Sequence, residues 1–199
     1  MHALVVLSHP VPGSLTHAVA EAVSEGVSGQ GHTFEIADLA AEGFDAAFAA
    51  SDIDAHLRRA APSAAVLAEQ ARLDRANALV LVYPVYWWSM PGLLKGWIDR
   101  VFANGWAYEE RGDGTTEKKL GRLAVHLVAI GGADLRTYAR HGYFGAMRTQ
   151  IDHGIFGYCG APVVTSELLT ASEPPAAHLE RARAIGQSIF THGRAREAA

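Results

Sequence analysis

Short apolar runs rich in Val, Leu and Ala alternate along this chain with helix-length segments whose apolar residues recur every three or four positions. The runs are ALVVLS (3–8), HTFEIADL (32–39), ALVLVYP (78–84), LAVHLVAIGG (123–132) and APVVTSEL (161–168). Runs this short and this continuously apolar predict strands buried on both faces, the pattern of βαβ units in a parallel sheet covered by helices. Five of them predict one doubly wound sheet. Between the first two, Ser14 is placed to cap a helix through Gly26, with Ala18, Val19, Ala22 and Val23 at helical spacing. Two Ala-rich helical pieces, 46–60 and 63–73, precede the third run and are separated at Pro62. A helix over 173–190 follows the last run, with Pro174 in its first turn and an apolar stripe through Leu179, Ala182, Ile185 and Ile189. The expectation is a single α/β domain over residues 1–193 without internal repeats, followed by a frayed tail at 194–199.

The stretch YPVYWWSMPGLLKGWIDRVF (83–102) adds a helix that starts at Pro91 and stripes Leu94, Trp97, Ile98, Val101 and Phe102 along one face. Lys95, Asp99 and Arg100 are expected on the wet face, Asp99 and Arg100 as a solvated pair without a catalytic role. That helix accounts for Trp97 but not for Trp87 and Trp88, which fall in the loop at the carboxyl end of the third strand. In an open parallel sheet that edge is where ligands bind. Aromatic rings there suit a flat ligand, although plugging the loop or packing at a dimer contact accounts for them equally well.

Two other strand ends carry chemistry. In SHPVPGSLTHA a glycine, small hydroxyls and a helix start follow the first strand, and amides at a helix N-terminus bind phosphate. The sequence is neither a Walker loop nor G-x-G-x-x-G, and Gly29-Gln30-Gly31 precedes a strand instead of following one. In AIGGADLRTYARHGYF, Gly131 and Gly132 allow the backbone to approach a ligand closely and Tyr138 offers a hydroxyl.

Composition narrows the partners. The 199 residues are 49% hydrophobic with a net charge of -4, and the sequence pI is about 6.2, so nothing invites nucleic acid or an anionic membrane surface. Cys159 is the only cysteine, which rules out an intramolecular disulfide and suits a reducing compartment, where a small buried hydrophobe is its expected role. No signal peptide or apolar stretch long enough to span a bilayer is visible, so a cytoplasmic location without membrane insertion is expected. The ten histidines are scattered without H-E-x-x-H or a Cys/His cluster, so no metal is expected, and His126 reads as a packed strand residue. G-x-S-x-G is absent, which leaves an α/β-hydrolase without its nucleophile elbow.

Together these residues resemble the flavodoxin-like NAD(P)H:quinone oxidoreductases, both the mammalian-type enzymes and the shorter bacterial ones. The resemblance rests on H-P-x3-S-L-T at 9–16, on DLAAEGFDAAFAASDI at 38–53, and above all on P-x-x-W-x-x-x-P-x-x-L-K-G-W-x-x-R-V-F at 84–102, with weaker support from WAY at 106–108, GG at 131–132 and YCG at 158–160. It implies a three-layer flavodoxin-like fold with a five-stranded parallel sheet in the order 2-1-3-4-5. It also implies two-electron transfer from NAD(P)H through a flavin to a quinone-like acceptor by a ping-pong mechanism. FAD is the expected flavin, with FMN as the alternative, since the mammalian-type members extend further to hold the adenosine half and this chain stops after one more helix.

By the same resemblance His9, Ser14, Leu15 and Thr16 hold the flavin phosphate and ribityl end. Pro84, Val85, Tyr86, Trp87 and Trp88 line the isoalloxazine, and Gly131 and Gly132 face its pyrimidine side. Tyr138 matches the active-site tyrosine. The histidine that the family places just beyond it falls on Phe144, which leaves His141, a few residues earlier, as the candidate for proton relay. Trp87, Trp88, Trp106 and Tyr108 are the substrate-contacting candidates, Tyr108 through the second subunit of a homodimer. Alternatives are an azoreductase or potassium-efflux ancillary enzyme of the same family, and a flavodoxin-type electron carrier docking on proteins.

Overall fold

A computed structural model describes residues 1–191; the tail expected at 194–199 and the last two residues of the expected domain lie outside the described residues. The apolar runs form β1 (His2–Leu7), β2 (Thr33–Asp38) and β3 (Ala78–Pro84), and the last two become β6 (Ala124–Gly131) and β7 (Val163–Thr170). All pair in parallel in the order β2-β1-β3-β6-β7, which is 2-1-3-4-5 counted over the five sheet strands. Alternate residues of each strand serve opposite faces. Ala3, Val5, Leu7, Val80 and Val82 pack under α1 (Leu15–Gly29) and α7 (Pro175–Ser188). Leu4, Val6, Leu79, Leu81, Tyr83 and Leu127 form the second core with α3 (Ala64–Arg75) and α4 (Gly92–Val101).

Burial on both faces explains why these strands are apolar throughout instead of alternating. On one face α1 and α7 touch backbone to backbone: a Cβ on Gly26 would meet the Arg183 carbonyl, and one on Gly186 the Val23 carbonyl. Those two positions admit glycine because the helix axes come so close there.

In α4 the stripe Leu94, Trp97, Ile98 and Val101 is buried, and Trp97 donates its indole N–H to Glu69 of α3 at 2.8 Å. The wet face differs from expectation. Lys95 pairs with Asp99 at 2.6 Å, whereas Arg100 is buried, its Nε 3.0 Å from Asp52 and its Nη1 bonded to the Asp45 carbonyl. Arg100 lies three residues past Trp97 and therefore turns inward, and a buried guanidinium persists only because α2 (Ala50–His56) supplies a carboxylate. Helix α2 is shorter than the 46–60 stretch, because the Asp52 carboxylate accepts from the Ala49 N–H at 2.8 Å and fixes the helix start there.

Three features exceed the sequence expectations. A hairpin joins β4 (Tyr108–Glu110) to β5 (Thr116–Lys118) through Asp113-Gly114, with Gly114 at φ +81°. The segment after β6 is helical, as α5 (Leu135–His141) and α6 (Tyr143–Arg148) broken by Gly142 at φ +70°. It then continues as a π-helical stretch over Thr149–Gly157. Cys159 is buried, as expected, and burial pushes its thiol pKa up to about 11. Among the described residues no helix is long and apolar enough to cross a membrane, and no three His, Cys, Asp or Glu side chains could share a metal ion.

Candidate functional site

Because β1, β3 and β6 are adjacent and parallel, their carboxyl ends open on one edge of the sheet. After β1, the Val11 N–H reaches His9 Nδ1 at 3.1 Å, and Gly13 at φ +69° turns the chain into α1. Ser14 occupies the N-cap with extended backbone, but its hydroxyl does not cap the helix. Ser14 Oγ lies 2.8 Å from His17 Nδ1, and His17 Nε2 lies 3.0 Å from the Asp38 carboxylate. Asp38 is brought there by the β1–β2 register, which pairs it with Leu7. The first-turn amides of α1 are thus left without a side-chain acceptor, a donor set ready for an anion. In that turn Leu15 is half-buried and Thr16 buried.

After β3, the Val85 N–H bonds to the Ile130 carbonyl at 2.8 Å and carries the ladder past Pro84. Tyr86 and Ser89 then exchange backbone hydrogen bonds of 3.1 Å, and the two residues between them, Trp87 and Trp88, both adopt left-handed backbone at φ +51° and +61°. Bulky residues in that conformation cost about 1–3 kcal/mol each. Trp87 is 93% exposed. Trp88 is half-buried, stacked on Tyr143 at 3.7 Å and 12° and edge-on to Tyr138 at 5.4 Å and 83°. Ser89 Oγ ties the turn to Gln150 at 2.8 Å.

After β6, the Tyr138 hydroxyl comes so near Gly131 that a Cβ there would lie 2.5 Å from it. Tyr138 is buried, and desolvation raises its pKa. Asp134 caps α5 by accepting from the Thr137 N–H at 2.9 Å, and the Thr137 hydrogen bonds hold its carboxyl below the ordinary value. Val85, Trp87, Trp88, Gly132, Ala133 and Tyr138 enclose an open cleft of about 200 Å³.

The structure therefore gathers Val85, Trp87, Trp88, Gly132 and Tyr138 around one cleft, with Pro84, Tyr86 and Gly131 on its flanks and His9, Ser14, Leu15 and Thr16 one strand away. His141 does not line the cleft; it is exposed and stacks on Tyr143 at 5.1 Å. Phe144 lines a separate hollow with Leu135, Glu167, Leu168 and Arg181 on the other side of Tyr138. Trp106 and Tyr108 follow α4, which runs back toward the amino ends of the strands, so within one subunit they lie away from the cleft. The Trp106 indole donates to Asp74 at 3.3 Å. Tyr108 packs edge-on against Tyr158 at 5.1 Å, over a hollow shared with His56 and Cys159.

Sequence reasoning missed His17, Asp38 and Tyr143 as parts of this edge. A signal existed for His17 alone, because Ser14-x-x-His17 has the spacing at which an N-cap residue meets the third residue of its helix.

A family model described as the flavodoxin-like fold matches residues 1–188. A ribosyldihydronicotinamide dehydrogenase (quinone) of Pongo abelii is 28% identical over 190 residues, covering 85% of this chain and 81% of the relative. The solved structure of an NAD(P)H:quinone oxidoreductase from Methanothermobacter marburgensis superposes with a TM-score of 0.85 at 27% identity, over 95% of this chain and 98% of its own. General stress protein 14 of Treponema denticola, solved in complex with FMN, superposes with a TM-score of 0.63 at 25% identity, over 98% of this chain and 99% of its own.

Proposed function

The chain belongs to the family of the flavodoxin-like fold, and from that premise we propose that it is a flavin-dependent NAD(P)H:quinone oxidoreductase. The observation that carries the proposal is one sheet edge holding both an uncapped helix N-terminus and a cleft walled by Trp87, Trp88, Gly132 and Tyr138. These residues fit a flavin: amide donors for its phosphate at the start of α1, and aromatic rings with open glycine backbone for a flat ring system. A Cβ on Gly13 or Gly132 would meet nothing within 4 Å, so both backbones are open to a ligand. When bound, the flavin supplies the two-electron chemistry between NAD(P)H and the quinone.

The protein's own contributions are binding, orientation and electrostatics. The amides of the first turn of α1 hold phosphate, with His9, Leu15 and Thr16 shaping the loop. The turn bearing Trp87 and Trp88 places aromatic surface against a planar ligand, and Tyr143 backs Trp88 from behind. Tyr138, a phenol whose pKa burial raises, donates its hydroxyl to negative charge that develops in the transition state. His141 is too exposed and too far round the Tyr143 ring for direct proton transfer in this arrangement, so a relay through it requires movement of α5.

We assign FAD as the flavin, with FMN as the alternative. Nicotinamide and acceptor take turns at the one open side of the cleft, which gives ping-pong kinetics, because two planar rings cannot both lie within about 3.5 Å of the same reacting atom. A homodimer completes the site with Tyr108. Exposed Phe48, Ile53 and Leu57 around α2, and Tyr158 beside Tyr108, form apolar surface that a second copy would cover. The buried Cys159 thiol suits a cytoplasmic enzyme.

The purified protein should be yellow, release one flavin whose mass distinguishes FAD from FMN, and oxidise NAD(P)H rapidly with a soluble quinone. A flavin-loaded protein that needs a separate reductase would instead be an electron carrier. Double-reciprocal plots should be parallel, and intersecting lines would rule out a shared slot. Sedimentation at micromolar concentration should give a dimer, and an active monomer would remove Tyr108 from the site.

A further inference from the structure

An N-cap serine ordinarily turns its hydroxyl back to accept from the amides of its own first turn. Ser14 does not, although it holds the N-cap position with the usual extended backbone. Its Oγ is instead engaged by His17 Nδ1 at 2.8 Å, and the His17 ring is anchored by Asp38 through Nε2 at 3.0 Å. Asp38 is itself fixed, since its other carboxylate oxygen accepts from the Ala40 and Ala41 N–H groups at 3.1 Å each. His17 and Asp38 side chains are only 14% and 21% exposed, so this chain of bonds is sheltered from competing water. With Nε2–H donating to the Asp38 carboxylate, Nδ1 is left to accept a hydrogen bond from the Ser14 hydroxyl. The bond on one ring nitrogen sets the role of the other.

We infer that His17, oriented by Asp38, is a positioning residue that keeps the Ser14 hydroxyl off the amides of α1 and so reserves those amides for the phosphate of the cofactor. The inference rests on the flavin reading above and adds a device to it. Left to itself, the serine would satisfy one or two of the donors that the phosphate needs, and the phosphate would have to displace it. Holding the hydroxyl aside in advance removes that competition, which is preorganisation of an anion site. His17 does not touch the phosphate in this scheme; it acts through Ser14. The edge-on contact of His9 with His17, at 6.2 Å between ring centres, closes the remaining side.

The test is a titration of the full chain with FMN and, separately, with riboflavin, which lacks the phosphate, followed by flavin fluorescence. His17→Ala should weaken FMN binding by about tenfold, the worth of one hydrogen bond to a charged group, and leave riboflavin binding unchanged within about twofold. His17→Asn, whose amide oxygen stands near the place of Nδ1, should recover most of the FMN affinity. A His17→Ala protein that binds FMN as tightly as the wild type overturns the inference. An equal loss for FMN and riboflavin also overturns it, because His17 would then only support the fold. Wild-type protein that binds neither ligand would remove the flavin reading, and the inference with it; this outcome is distinct because it appears before any substitution is made.

Discussion

The crossing of α1 with α7 and the turn at Trp87-Trp88 solve opposite problems. At the crossing, Gly26 and Gly186 give up side chains so that two backbones can touch, and neither position has space for a Cβ. At the turn, two of the largest side chains sit on left-handed backbone that favours glycine, and one of them is 93% exposed. Packing explains every feature of the first region. In the second it explains Trp88, which stacks on Tyr143, but not Trp87, whose unfavourable backbone and exposed indole add nothing to the stability of the free protein. Residues that stability alone would not choose are expected where a ligand is held.

The largest expected effect tests the packed region. Gly186→Ala should lower the unfolding free energy by roughly 2–4 kcal/mol, because the added methyl meets the Val23 carbonyl and the helices must separate. Urea denaturation measures this, and a loss under about 0.5 kcal/mol would mean that the crossing is looser than described. Tyr138→Phe probes the other region through function. It should slow flavin reduction in single turnover by about tenfold, near 1.4 kcal/mol in barrier, with flavin content and unfolding midpoint little changed. Unaltered reduction would take the hydroxyl out of the chemistry.

Trp87→Gly sharpens the contrast most directly, since it should make the free protein more stable by roughly 0.5–1 kcal/mol through relief of the φ +51° backbone. The same substitution should weaken flavin binding. A variant that loses both stability and flavin would show that Trp87 packs against something in the free protein after all.

The smallest effect is absent at neutral pH. Burial raises the Cys159 thiol pKa to about 11 from an ordinary value near 9, so its stabilising contribution is complete below about pH 9 and is lost as the pH climbs toward 11. The urea midpoint should fall across that window, and Cys159→Ala should flatten the part of the fall between pH 9 and 10. Above pH 10 the buried phenols of Tyr83 and Tyr138, both with raised pKa, act in the same direction. An unchanged slope in the alanine variant would mean that the thiol is better solvated than its burial implies.

Most of the edge was legible because its parts are local. Gly13, Ser14 and a helix start within three residues, a pair of tryptophans just past a buried strand, and Gly131-Gly132 after another are adjacent in the sequence, so the sheet topology needed only to bring three loops together. Arg100 was misjudged because its neighbours in sequence, Lys95 and Asp99, are solvent-facing, and the partner that turns it inward is Asp52 of another helix. His141 was plausible by its distance from Tyr138 along the chain, yet the break at Gly142 leaves it stacked outside Tyr143.

What the sequence determined by itself was where the five sheet strands and the helices α1, α3, α4 and α7 lie, and which strand ends carry glycines, hydroxyls and aromatic rings. Those properties follow from the spacing of apolar residues and from backbone preferences that act over a few positions. What only the tertiary structure decided was which side chains meet: Asp38 with His17, Trp88 with Tyr143, the Tyr138 hydroxyl with the Gly131 backbone. Each such meeting depends on the register of strands and the reach of helices between residues that have no local influence on one another. The Leu7–Asp38 pairing between β1 and β2 shows how much rests on it. A shift of one residue there would turn the Asp38 carboxylate to the other face of the sheet, away from His17.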